Sequence, residues 1–237
     1  MQTNLLGLVA EDTVVADSNA WGTGVFIWDY QNANSAYLLT AKHVLNSRHK
    51  LQIFVSDSGS FTPLYKSPIP LLTDSGVPRY LTYISASGES PDIALLPVPN
   101  AGGLIQRFTF KMLVRSCLAF TNEVKLASPL LALGFADPQK FPFIKKGDPL
   151  VVSGIVSQII GPWILIDKRL HEGMSGGIVL VQPHNVVGLH RYLVGGIVAA
   201  EYKFDSSFSL ITKLDYIDSI LIQNTGVAWG YNSGNEQ

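Results

Sequence analysis

Short apolar runs rich in Val, Ile and Leu dominate the chain, each closed off by Gly, Pro, Asn, Asp or Ser. They predict strands near 23–28, 37–40, 51–55, 80–85 and 93–97 in the first half. The second half offers strands near 125–135, 150–160, 163–167, 177–182, 186–190, 193–200 and 207–212. Helical periodicity is scarce, so the pattern predicts an all-β barrel or sandwich architecture. One short helical turn is expected at 41–46, around His43. A C-terminal helix follows from Leu214, Ile217, Ile220 and Leu221, with Thr212 as candidate cap and Gly226 as stop. The sharpest boundary is Pro97 to Gly103, two prolines and two glycines within one short segment.

Composition narrows the class. The 237 residues are 47% hydrophobic and 15% charged, which describes a folded chain with an ample core. A formal net charge of −1 leaves no electrostatic footprint for nucleic acid or an anionic membrane. The basic clusters Arg48-His49-Lys50, Lys145-Lys146 and Lys168-Arg169 read as solvated loop charge. Pro149 to Ile166 is the longest uncharged run, yet its serines and its Gly161-Pro162 turn predict two buried strands and no membrane span. Cys117 is the single cysteine, so no intrachain disulfide can form. With a start that lacks a basic n-region, this leads us to expect a soluble, cytoplasmic protein.

The chemistry lies in three short segments. Glu172-Gly173-Met174-Ser175-Gly176-Gly177 sets a serine among glycines, which let the backbone bend so that successive N–H groups converge on one point. A serine hydroxyl is a weak nucleophile and needs a base and a partner for the developing oxyanion. His43, after the apolar run ending in Leu38-Leu39-Thr40, supplies a candidate base. Asp92, at the start of Asp92-Ile93-Ala94-Leu95-Leu96, supplies a candidate acid.

With Gly22-Thr23-Gly24-Val25-Phe26-Ile27, Thr40-Ala41-Lys42-His43 and Ser153-Gly154-Ile155-Val156-Ser157, these segments give the chain a resemblance to the trypsin/chymotrypsin-like serine peptidases. Within that family it resembles the disulfide-free bacterial HtrA-type branch. The resemblance implies two six-stranded β-barrels with the active site in the cleft between them, plus the C-terminal helix. It implies an N-terminal barrel at 1–100 carrying His43 and Asp92, a linker at 101–120, and a C-terminal barrel with helix at 121–237 carrying Ser175. His43 would be the base, Asp92 its orienting carboxylate, and the N–H groups of Gly173 and Ser175 the oxyanion hole. Met174 stands where digestive members carry an aspartate, so activation by a newly cut N-terminus is not expected. No accessory peptide-binding domain such as a PDZ is expected after the helix.

The resemblance also places the substrate pocket between Arg169–Glu172, the strand Val198-Ala199-Ala200-Glu201, and the region of Ser209. No aspartate stands where one would select Lys or Arg; Arg169 stands there. Arg169 facing solvent, with Leu170, Ala199 and Ala200 facing the pocket, implies a preference for small or medium apolar side chains. The literal Gly-x-Ser-x-Gly pattern is shared by α/β-hydrolases, but no Asp or Glu lies between Ser175 and His190, so their Ser, acid, His order cannot be assembled. His49, His171, His184, His190 and Cys117 are read as surface or packing residues. No metal-ligand spacing or phosphate-binding glycine loop occurs, and no cofactor is expected. The expected partner is a polypeptide substrate, with an activating protein partner left open. The alternative is a catalytically silent trypsin-fold binding module.

Overall fold

A computed structural model of the chain describes residues 5–11, 20–29, 35–57, 60–86, 88, 90–108, 112–119, 123–140, 147–182, 192–201 and 207–226. The strand expected near 186–190, with His184 and His190, lies outside them.

The first half forms a seven-stranded antiparallel sheet in the order β5-β4-β1-β2-β3-β7, with β6 on β4. Its strands are β1 (Leu5–Glu11), β2 (Ala20–Asp29), β3 (Ser35–Thr40), β4 (Lys50–Asp57), β5 (Ser60–Pro63), β6 (Ile69–Pro70) and β7 (Ala94–Pro97). The second half closes into a six-stranded antiparallel barrel, β10-β13-β12-β11-β8-β9. It comprises β8 (Pro129–Gly134), β9 (Leu150–Ile160), β10 (Trp163–Ile166), β11 (Ile178–Val181), β12 (Leu193–Glu201) and β13 (Ser209–Lys213). Closure removes the unpaired edges that an open sheet must protect. The fold is mostly β and consistent with the trypsin-like double-barrel plan.

Two buried clusters form, the first of which also takes in Phe135, Ile178, Val194 and Ile197 of the second half. Leu6, Leu8, Val25, Ile27, Leu38, Leu39, Leu51 and Ile53 fill the first. Val156, Ile164, Ile166, Val179, Val181 and Ile211 fill the second. The helix α3 (Tyr216–Thr225) buries Ile217, Ile220 and Leu221 in the first core, although it follows the barrel in sequence. It starts after Asp215, not at Thr212; Thr212 lies within β13 and is fully buried. Gly226 ends it at φ 76°, the left-handed cap that glycine adopts without strain.

Two expectations change. The segment near 80–85 is not a strand: only Leu81 bridges, to Leu95. Its backbone is held instead by α3, where the Gln223 amide both donates to the Ile84 carbonyl and accepts from the Ile84 N–H, and Asn224 donates to the Thr82 carbonyl. β9 is not buried on both faces, because Val151, Ile155 and Ile160 point to solvent. Within 101–120 lie the helix α2 (Ala101–Phe108) and a 3₁₀ turn at Arg115–Cys117. Leu113 bridges to Ile27 of the sheet and Leu118 to Val194 of the barrel, so this stretch fastens one half to the other.

Candidate functional site

His43 sits on α1 (Lys42–Leu45), a single turn fixed by burial of Val44 and Leu45 in the first core. That anchoring leaves the His43 side chain 47% exposed, beside an Asp92 side chain only 24% exposed. Asp92 grips His43 at two points: Oδ2 lies 2.6 Å from Nδ1, and Oδ1 accepts the His43 backbone N–H at 2.9 Å. The carboxylate therefore fixes both the ring and the turn that carries it. Lys42 adds a second tie, its ammonium donating to Ser90 Oγ at 2.9 Å, while that hydroxyl donates to the Tyr83 carbonyl. Sequence reasoning missed Lys42 and Ser90; their only signal was position, next to His43 and two before Asp92.

Ser175 lies on the tight turn that leads into β11. Gly173 and Gly176 hold positive φ values of 91° and 84°. A Cβ on Gly173 would sit 2.7 Å from the Phe135 carbonyl oxygen, and one on Gly176 would overlap the Thr23 carbonyl oxygen and the Thr40 hydroxyl. Neither position tolerates a side chain, for reasons of both conformation and space. Gly176→Ala should accordingly lower the unfolding free energy by about 3–5 kcal/mol, read as a shift in urea midpoint. An unshifted midpoint would mean that the turn packs less tightly than described.

Backbone bonding around this turn is selective. The N–H groups of Met174, Gly176 and Gly177 donate to His171, Val198 and Met174 carbonyls. Among the described residues, neither the Gly173 N–H nor the Ser175 N–H has a protein acceptor. The Glu172 carbonyl accepts the Asp137 N–H at 2.9 Å. A trans peptide carries its C=O and N–H on opposite sides, so this bond turns the Gly173 N–H away from residue 137. Two neighbouring donors are thus left open beside the serine. At the rim, the Lys140 ammonium bonds the Glu172 carboxylate, a contact that raises the lysine pKa above its ordinary value.

His43 and Ser175 line one open cavity of about 270 Å³ with Leu170, His171, Glu172, Val198 and Ser209. This is below the ~300–1,000 Å³ usual for a small-molecule site, and suits a side chain projecting from a longer ligand. Leu170 and Val198 are each 3% exposed, and Ser209 Oγ accepts the Leu170 N–H at 2.9 Å, fixing that wall. Among the described residues no hydrogen bond joins His43 to Ser175; the Ser175 hydroxyl donates to the Ala199 carbonyl at the long distance of 3.4 Å.

Arg169 is exposed and does not line the cavity. Ala199 is buried and contributes its carbonyl. Ala200 and Glu201 lie on β12 opposite Leu210 and Ser209, with side chains outside the described part. His171 lines the cavity. Cys117 is a half-buried free thiol in the 3₁₀ turn. Among the described residues no cluster of His, Cys, Asp and Glu could hold a metal, and no helix is long and apolar enough to cross a membrane.

A family model described as a trypsin-like peptidase domain matches residues 22–189. No curated protein matches the sequence. Among solved structures, the active form of the Rv3671c protease from M. tuberculosis is similar at TM-score 0.58 and 15% identity, covering 98% of this chain and 84% of that one. The serine endoprotease from Yersinia pestis gives TM-score 0.57 at 14% identity, covering 95% of this chain and 65% of that one. The HtrA-type protease AlgW with a tripeptide gives TM-score 0.57 at 15% identity, over 95% of this chain and 62% of that one. At such identities the likeness is one of fold, and this chain spans under two thirds of the length of the latter two.

Proposed function

The chain belongs to the trypsin-like peptidase family, and from that premise we propose that it is a serine endopeptidase acting through His43, Asp92 and Ser175. The observation that carries the reading is the double grip of Asp92 on His43 beside Ser175 in one cavity. With Nδ1 held by Asp92, the other ring nitrogen is free to take the proton of Ser175 as its oxygen attacks a peptide carbonyl. The imidazolium then returns that proton to the leaving amine, and water repeats the sequence on the acyl-enzyme. The open N–H groups of Gly173 and Ser175 supply the oxyanion hole; loss of one such donor costs about 10²–10³ in turnover in comparable sites. Ser175 must first leave the Ala199 carbonyl and turn toward the imidazole, a tightening expected of catalytic hydrogen bonds once substrate binds.

That same Ser175–Ala199 contact favours the second reading, a silent or partner-activated module of the same fold. Exposure of the purified protein to a fluorophosphonate probe separates the two, with the labelled residue located by mass spectrometry. Labelling of Ser175 supports the peptidase; no labelling, with or without peptide, supports the silent module.

Selectivity follows from the cavity walls. Leu170 and Val198 present apolar surface to a side chain on the acyl side of the cut, and burial of that side chain is the main discriminating term. A peptide library should show Val, Ala, Leu or Met enriched before the cut. Arg169→Ala should leave that profile unchanged. An acidic preference that vanishes in Arg169→Ala would reverse the assignment.

A further inference from the structure

The stretch Gly22-Thr23-Gly24 helps to carry the family resemblance, yet the mechanism above does not use it. Thr23 lies on β2, fully buried, where the sheet meets the turn bearing Ser175. Every polar group of the residue is engaged across the site. Its N–H donates to the Ser175 carbonyl at 2.8 Å, and its carbonyl accepts the Thr40 hydroxyl at 2.8 Å. Its own hydroxyl accepts the Phe135 N–H at 2.9 Å and donates to the Gly173 carbonyl at 2.8 Å. The flanking glycines make this approach possible. A Cβ at Gly22 would sit 2.7 Å from Val44 Cγ1, and one at Gly24 would sit 2.7 Å from Leu38 Cδ1. Bare backbone at these positions lets β2 pack closely against Val44 of α1 on one side of Thr23 and against Leu38 of β3 on the other.

We infer that Thr23 is a positioning residue whose hydroxyl fixes the Gly173–Met174 peptide, the unit that joins the two peptides whose N–H groups would receive the oxyanion. The inference rests on the peptidase reading. Gly173 has a peptide on each side: Asp137 holds the carbonyl of the one before it and Thr23 the carbonyl of the one after it. Without the hydroxyl, the buried Gly173 carbonyl and Phe135 N–H both lose their partner, which is more costly than losing the bond itself. The peptide then rotates in search of another partner. That peptide joins the two donor-bearing peptides and carries neither donor itself, so its rotation re-aims both, and an oxyanion donor works only within about 2.7–3.1 Å of the oxygen it serves. Through Thr40, three residues before His43, the same residue also links the base-bearing turn to the nucleophile turn.

Thr23→Val keeps the shape and removes the hydroxyl; Thr23→Ser keeps the hydroxyl. In Thr23→Val, kcat should fall about 10–100-fold with KM changed by less than about threefold, and a peptide boronate that mimics the tetrahedral adduct should weaken in parallel. Thr23→Ser should recover kcat to within about threefold. The amide signals of Gly173, Met174 and Ser175 in ¹⁵N spectra should move in Thr23→Val and stay in place in Thr23→Ser. Unchanged kcat in a folded Thr23→Val protein, or a Thr23→Ser variant as impaired as Thr23→Val, would overturn the inference. A wild-type protein inert to probe and peptides would sink the peptidase reading, whereas unmoved amide signals in Thr23→Val would sink this one.

Discussion

Ser175→Ala is expected to abolish fluorophosphonate labelling and to reduce peptide cleavage by about 10⁶-fold, the scale set by removing a nucleophile from a site of this kind. What survives is the contribution of binding and the oxyanion donors, worth about 10³–10⁴ over water. The fold should be untouched, because among the described residues the hydroxyl makes only its long contact with the Ala199 carbonyl. The hydrogen bonds that hold the turn are backbone bonds, from Thr23 N–H to the Ser175 carbonyl and from Gly176 N–H to the Val198 carbonyl, and alanine keeps both. Loss of activity with an unchanged urea midpoint would separate chemistry from stability. Undiminished labelling would move the nucleophile elsewhere and remove the basis for the proposed mechanism.

The parts of this site legible in the sequence are those with a local signature. Glycines at 173 and 176 announce a backbone that side chains rarely adopt, while His43 follows one apolar strand run and Asp92 precedes another. The glycines on either side of Thr23 signal a close backbone approach, but nothing local says what its hydroxyl meets, since its bonds reach residues 112 and 150 positions away. The helix α2 was hidden for a different reason. Pro97 to Gly103 reads as a break, but Asn100 at φ 53° turns the chain and lays its side chain against Gly103. Glycine there serves the first helical turn by leaving room for that amide. β1 escaped because Leu5-Leu6-Gly7-Leu8-Val9 has no clean alternation; its register comes from β2 and β4 on either side. The segment near 80–85 misled in the opposite sense. Its apolar residues look like a strand, while the Thr82 and Ile84 carbonyls and the Ile84 N–H are claimed by side chains of α3, far along the chain.

Asp92→Asn is expected to lower turnover by about 10⁴-fold while leaving the fold and the binding of peptide nearly unchanged. The two contacts of Asp92 both require an acceptor: Oδ1 takes the His43 backbone N–H, and Oδ2 faces the ring Nδ1. An asparagine amide offers one acceptor and one donor. If its oxygen stays on the backbone N–H, its NH₂ faces Nδ1 and forces that nitrogen to accept, so the ring proton moves to the nitrogen that must serve Ser175. A ring in that tautomer cannot take the serine proton. If the amide is reversed, its oxygen keeps the productive tautomer, but its NH₂ then meets the His43 backbone N–H, donor against donor. That clash would push α1 away from the carboxylate loop or drive the amide back to the first arrangement. Either way the base is lost, through its tautomer or through its position. Because the replacement is isosteric, the urea midpoint should shift little, and KM for the best library peptide should hold. An Asp92→Asn enzyme with nearly normal turnover would show that His43 does not depend on Asp92, and another acid would have to be sought.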